Sequence, residues 1–175
     1  MASQPSPRVP AEPAVRASTT QAGEDASVRV LRRFRLVFNA VKSHFQHIEK
    51  ASGIGGAQVW ALSIIGERPG LGVTDLARAM DVHQSTASNL VRSLVERGLV
   101  DTTRAGPDRR AVQLRLLAAG RRVLRRAPPP LTGVLPQALA RLDEATLRRL
   151  DHDLAELIAV LDTDHDAAHQ PLAHL

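Results

Sequence analysis

The stretch from Thr74 to Gly98 limits what this chain can become more than any other. Two helical patterns stand there, separated by Asp81-Val82-His83. In the second, Ala87, Leu90, Val91, Leu94 and Val95 recur at helical spacing and form one apolar stripe. Gln84, Ser85, Ser88, Asn89 and Arg92 occupy the other face. Such a face has little to bury and many donors and acceptors to offer base edges and phosphate oxygens. Taken alone it also reads as a solvated helix surface. In the first pattern Thr74 is expected as the N-cap, with Asp75 at the positive helix end. Leu76, Ala77 and Met80 point inward, and Arg78 faces out toward a phosphate. A short helix, a tight turn and a two-faced helix make a helix-turn-helix.

The chain beyond the second helix favours contact with DNA. Gly98 suits the left-handed residue that ends a helix. Val100 to Thr103 reads as a short β-branched strand, and Ala111 to Leu116 as a second strand with Val112, Leu114 and Leu116 on its buried face. Gly106-Pro107 marks the turn between them, ringed by Arg104, Arg109 and Arg110. A hairpin with an arginine tip directly after a recognition helix is a wing, and arginine in a narrow minor groove gains from the negative potential there. The alternative is a solvated hairpin whose arginines serve solubility.

Leu76-Ala77, Ser85-Thr86-Ala87-Ser88, Leu94 through Val100, and Asp108-Arg109-Arg110 together resemble the winged helix-turn-helix of the MarR family of transcription regulators. With its flanks the resemblance runs from about Val28 to Leu161. It implies a mainly α fold with a small β-hairpin wing and a helical dimerisation layer. It also implies an obligate homodimer on a pseudo-palindromic operator and release by a small ligand. Asp108 and Arg110 match the family's Asp-x-Arg wing motif, in which the aspartate braces the wing and the arginine enters the minor groove. Asp81 stands where the family often has Gly, but Asp tolerates unusual backbone angles. The expected DNA-contact set is Arg78, Gln84, Ser85, Thr86, Ser88, Asn89, Arg92, Arg104, Asp108, Arg109 and Arg110.

Charge is divided along the chain. From Arg68 to Arg126 there are twelve arginines and five acidic residues, a net +7, whereas Leu139 to Leu175 carries a net −5. A basic middle fits one lobe on DNA, with an acidic lobe held away from it. There is no cysteine, which excludes disulfides, thiolate metal sites and thiol-based redox sensing. No signal peptide and no apolar run near ~18 residues is evident, so a cytoplasmic location is expected.

The rest of the chain divides by composition. Residues 1–26 are rich in Pro, Ser, Ala and Thr and are expected to be a disordered arm. Residues 27–52 and 118–162 form the expected dimerisation region, and 56–117 the winged helix-turn-helix. Leu31, Phe34, Phe38, Val41, Phe45 and Ile48 make an apolar seam on one helix from Val28 to Lys50, assigned to core and dimer interface. Leu147, Leu150, Leu154, Leu157 and Leu161 make a second seam. Ala118 to Ala127 is a basic helix, and Pro128-Pro129-Pro130 should break it before a helix from Leu131 to Leu142. Asp143 should cap the last helix. Residues 163–175 read as a flexible tail.

His44 and His47 sit one helical turn apart but lack a third metal ligand nearby. By resemblance, the end of their helix lines the family's effector pocket, so His44, Phe45, His47 and Trp60 are the expected ligand-binding residues. A small aromatic acid is the expected effector. No cofactor, catalytic group or metal is expected, because no paired carboxylates, no partnered nucleophile and no metal-ligand spacing occur. The expected function is that of a dimeric regulator, a repressor released from its double-stranded operator by that ligand. The alternative is a winged helix that binds protein, or an architectural DNA-binding module without an effector.

Overall fold

A computed structural model describes residues 17–104, 112–161 and 168–172. The elements are α1 (Ala17–Ser52), α2 (Gly56–Glu67), α3 (Val73–Met80), α4 (Gln84–Glu96), β1 (Val100–Arg104), β2 (Val112–Leu116), α5 (Ala118–Arg126), α6 (Val134–Leu139) and α7 (Glu144–Ala159). The fold is mainly helical with one antiparallel hairpin. Two compact units divide it, Met1–Val37 and Phe38–Leu175. The boundary falls inside α1, and beyond it Val41 and Ile48 are buried in the core of the second unit.

In that second unit α2 is the central element. It is apolar all round, and Ala57, Val59, Ala61, Leu62, Ile64 and Ile65 are all buried. A helix without a polar face must be covered on every side. The covering is supplied by α3, α4, α5 and β2. Its one buried hydroxyl, on Ser63, donates to the Trp60 carbonyl at 2.8 Å and so is satisfied within the helix.

The helix-turn-helix is set by two helix endings of the same type. Asp81 closes α3 in the left-handed conformation (φ 50°, ψ 48°). Its N–H bonds to the Arg78 carbonyl, and that of Val82 bonds to the Ala77 carbonyl. Gly98 (φ 65°) closes α4 in the same way, its N–H on Val95 and that of Leu99 on Leu94. This pairing is the Schellman motif, which satisfies the last carbonyls and turns the chain sharply. At Asp81 the motif runs without glycine, as the sequence allowed. The buried Leu99 comes directly after Gly98, so the second turn also starts the hairpin in the core. β1 and β2 pair in register from Val100–Leu116 to Arg104–Val112. Leu71 extends this pairing by accepting from the Leu114 N–H at 2.9 Å.

Several expectations need correction. The arm expected through residue 26 is helical from Ala17, since extending an existing helix costs far less than nucleating one. Thr74 does not cap α3. Gly72 does, and its carbonyl accepts from the Leu76 N–H. Val95 leaves the buried stripe of α4 and is 38% exposed, because the stripe drifts around the helix as it nears its end. The helix expected from Leu131 to Leu142 shortens to α6, since Gly133 at φ 100° interrupts its start. The proline break itself is present: α5 ends at Arg126. Asp143 caps α7 as expected, accepting from the Thr146 backbone and hydroxyl. These bonds hold its carboxyl below the usual carboxylate range, the backbone N–H of Thr146 contributing most. The tail expected to be flexible has a described segment, 168–172, packed on the second unit.

α5 approaches the wing closely at Gly120. A Cβ there would lie 2.5 Å from the Leu99 carbonyl oxygen and 2.5 Å from Leu116 Cδ1. Helix propensity alone favours alanine by about 1 kcal/mol. Overpacking against a backbone atom costs about 1–3 kcal/mol and should win. Gly120→Ala is therefore expected to lower the Tm by about 2–6 °C in a thermal melt. A raised Tm would mean that the helix and hairpin stand further apart.

Candidate nucleic-acid interface

The apolar stripe of α4 buries Ala87, Leu90, Val91 and Leu94 against the core. Burial of that stripe turns the opposite face outward. Gln84, Ser85, Asn89 and Arg92 are exposed, and Thr86 and Ser88 are half-buried at its edge. Ser88 Oγ donates to the Gln84 carbonyl at 2.7 Å, so its proton is committed within the helix while its oxygen can still accept. Arg78 on α3 lies beside Asp75 at 3.2 Å, with both side chains largely exposed. An exposed pair of this kind is worth little, so the guanidinium can exchange a carboxylate for a phosphate at small cost.

Two contacts that sequence patterns did not reveal hold α4 in place. Gln58 Nε2 donates to Ser93 Oγ at 2.7 Å, while its Oε1 accepts from the Gly55 N–H at 3.1 Å. Arg97 Nη1 donates to the Gly53 carbonyl at 3.3 Å. The signal for the first was Gln58, a polar residue in a helix that is otherwise almost wholly apolar. The hairpin is braced by Arg115 Nη2 on Asp101 Oδ2 at 2.9 Å, directly across the strands. Asp108, Arg109 and Arg110, and the side chain of Arg104, lie outside the described residues.

The second unit also holds a small apolar cavity of about 70 Å³. Val41 and Phe45 of α1, Ala57 and Trp60 of α2, Leu135 and Pro136 of α6, and Leu172 line it. Phe45 and Trp60, two of the four expected ligand-binding residues, thus meet in one place. His44 does not join them: its Nε2 bonds to the Pro130 carbonyl at 2.9 Å, tying α1 to the proline turn. The carbonyl can only accept, so that nitrogen carries the proton. His47 is exposed and is not among the cavity residues. Among the described residues no cluster of three His, Cys, Asp or Glu is placed to hold a metal, and no helix is long and apolar enough to cross a membrane.

The described tail segment runs beside both features. The His169 ring meets the His83 ring edge-on, centroids 4.9 Å apart. Gln170 and Pro171 share a groove with Ser85, Thr86 and Asn89, and Pro171 and Leu172 reach the cavity.

Comparison with known proteins agrees with this architecture. A family model described as the MarR family matches residues 52–111. A protein of Thauera aromatica, named for transcriptional regulation of the hcr operon, is 33% identical over 125 residues. That match takes in 71% of this chain, and the chain spans 64% of the relative's length. The S. aureus MepR–DNA complex superposes with a TM-score of 0.52 at 19% identity, covering 72% of this chain and 91% of the other, and shows the same fold. A MarR family protein from Bacillus stearothermophilus matches at 23% identity, with a TM-score of 0.48 and coverage of 78% and 95%.

Proposed function

The chain belongs to the MarR family through residues 52–111, and on that premise we propose that it is a DNA-binding transcription regulator, dimeric and responsive to a small ligand. One observation carries the DNA reading. α4 buries its apolar stripe completely enough to leave Gln84, Ser85, Asn89 and Arg92 pointing away from the core. These groups enter the major groove, and Arg78 meets a phosphate at its edge. By the family's Asp-x-Arg wing motif, Arg110, with Arg104 and Arg109, is assigned to the flanking minor groove, and Asp108 to the wing's brace. Base contacts select sequence, whereas phosphate contacts set affinity and register.

That division can be tested directly. Arg78→Ala should weaken binding to all duplexes alike and reduce the slope of log affinity against log salt by about one. Asn89→Ala should instead change which sequences are preferred. Equal losses on every sequence for Asn89→Ala, or an unaltered slope for Arg78→Ala, would contradict these roles.

Dimerisation is supported by apolar surface that a single chain leaves uncovered. α7 buries none of its side chains, and Leu150, Leu154, Leu157, Ile158 and Leu161 are between 37% and 51% exposed. In α1, Leu31, Leu36 and Val37 are exposed as well. Apolar stripes on terminal helices fit an isologous twofold interface, which would carry two recognition helices to half-sites about 34–36 Å apart. Leu154→Asp should convert the dimer to a monomer in sedimentation. An unaltered dimer would place the interface elsewhere.

The cavity supports ligand response by a repressor. Phe45 and Trp60 offer aromatic surface to a flat apolar molecule. At about 70 Å³ it is well below the ~300 Å³ at which small-molecule pockets begin, so a ligand must open it. An aromatic acid that does so would move α1 or α2 against α4 and shift DNA affinity by the same factor as its own affinity shifts on DNA. Calorimetric titration of aromatic acids into the protein–DNA complex should show binding with release. Absence of both would end the effector reading.

A further inference from the structure

We propose that the C-terminal segment 168–172 is an internal competitor of DNA, covering the first half of the recognition helix until a duplex displaces it. The inference rests on the reading of α4 as the DNA-contacting helix. The segment is held at three points. His169 stacks edge-on against His83, the N-cap residue of α4, at 68° between rings, and its Nδ1 stands 4.0 Å from Asp81 Oδ1. Gln170 and Pro171 then lie along the groove beside Ser85, Thr86 and Asn89. Pro171 is buried, and Leu172 turns into the apolar cavity next to Phe45 and Trp60.

The geometry sets two surfaces in competition with one short strap. Ser85 and Asn89 keep exposed surface and Thr86 is half-buried, but a duplex seated on them would run into Gln170 and Pro171 in the same groove. Leu172 also lines the cavity that Trp60 lines, so the position of the strap is felt there as well. The strap's anchors are few: one imidazole contact, one buried proline and a leucine that is still 41% exposed. Such a cover is held weakly enough for a duplex to remove it. Its effect is a reduction of apparent DNA affinity in proportion to the fraction of molecules left open.

The test uses the full chain, a fluorescein-labelled mixed-sequence duplex at low salt, and two variants that loosen different anchors. His169→Ala and Leu172→Asp should each bind the duplex about threefold to tenfold more tightly than the unaltered chain, the gain expected if about one molecule in three to one in ten is open. Trp60 is the sole tryptophan and reports on the cavity directly. Its emission in the unaltered chain should move toward the Leu172→Asp spectrum as duplex is added. Equal or weaker binding by both variants, or a Trp60 spectrum that ignores the duplex, overturns the cover and leaves the DNA reading standing. Should Leu172→Asp lose its helical circular dichroism, His169→Ala alone decides by its affinity. No binding by any form, variants included, would instead defeat the DNA reading, and the cover with it.

Discussion

The need to cover α2 on all sides governs the second unit. Val59, Leu62 and Ile65 are completely or almost completely buried. Side chains of this size contribute about 1.5–3 kcal/mol each when fully removed from water. That gain is available only if several other elements bring their apolar stripes to the same helix. α3, α4, α5 and β2 do so, and each is thereby fixed in rotation about its own axis. The orientation of the polar face of α4 is a by-product of this packing. The helix that meets solvent with Asn89 and Arg92 does so because Leu94 and Ala87 are committed behind it.

Backbone geometry then converts orientation into a site. The two left-handed endings, at Asp81 and Gly98, lie at opposite ends of α4. Each places a partly or fully buried residue immediately after the turn, Val82 in one case and Leu99 in the other. The helix is therefore pinned at both ends by hydrophobic contact as well as by hydrogen bonds. Gln58 adds a polar tether in the last turn, reaching Ser93 from the central helix. A recognition element anchored at three places can present its side chains to a rigid partner without losing much order on binding.

The apolar surface left over belongs to α7 and the outer part of α1. Their seams were visible as repeats of Leu and Phe, but periodicity cannot say whether a stripe faces its own chain or another. Val41 and Ile48 of the first seam went to the core, while Leu31 stayed exposed. The same repeat thus serves two surroundings. The proline run announced a break, and the sequence was right about where α5 stops. How far the next helix would shrink depended on Gly133, whose left-handed angle stands at the N-cap of α6.

Local patterns were enough to recognise the helix-turn-helix, the two helix endings and the capping of α7 by Asp143. Those features depend on residues within one or two turns of each other, where side-chain chemistry and backbone propensity decide directly. Contacts across long stretches of chain were decided only by tertiary packing. His44, expected beside a ligand, is spent on the carbonyl of Pro130, 86 positions away. Phe45 and Trp60 share a cavity whose remaining walls come from α6 and the tail. The tail itself looked polar and free, because nothing in its composition reveals that His83 and an apolar cavity wait within its reach. A sequence states what each residue can do, but which partner it meets is set by the shape of the buried core, where many weak contacts must be satisfied at once.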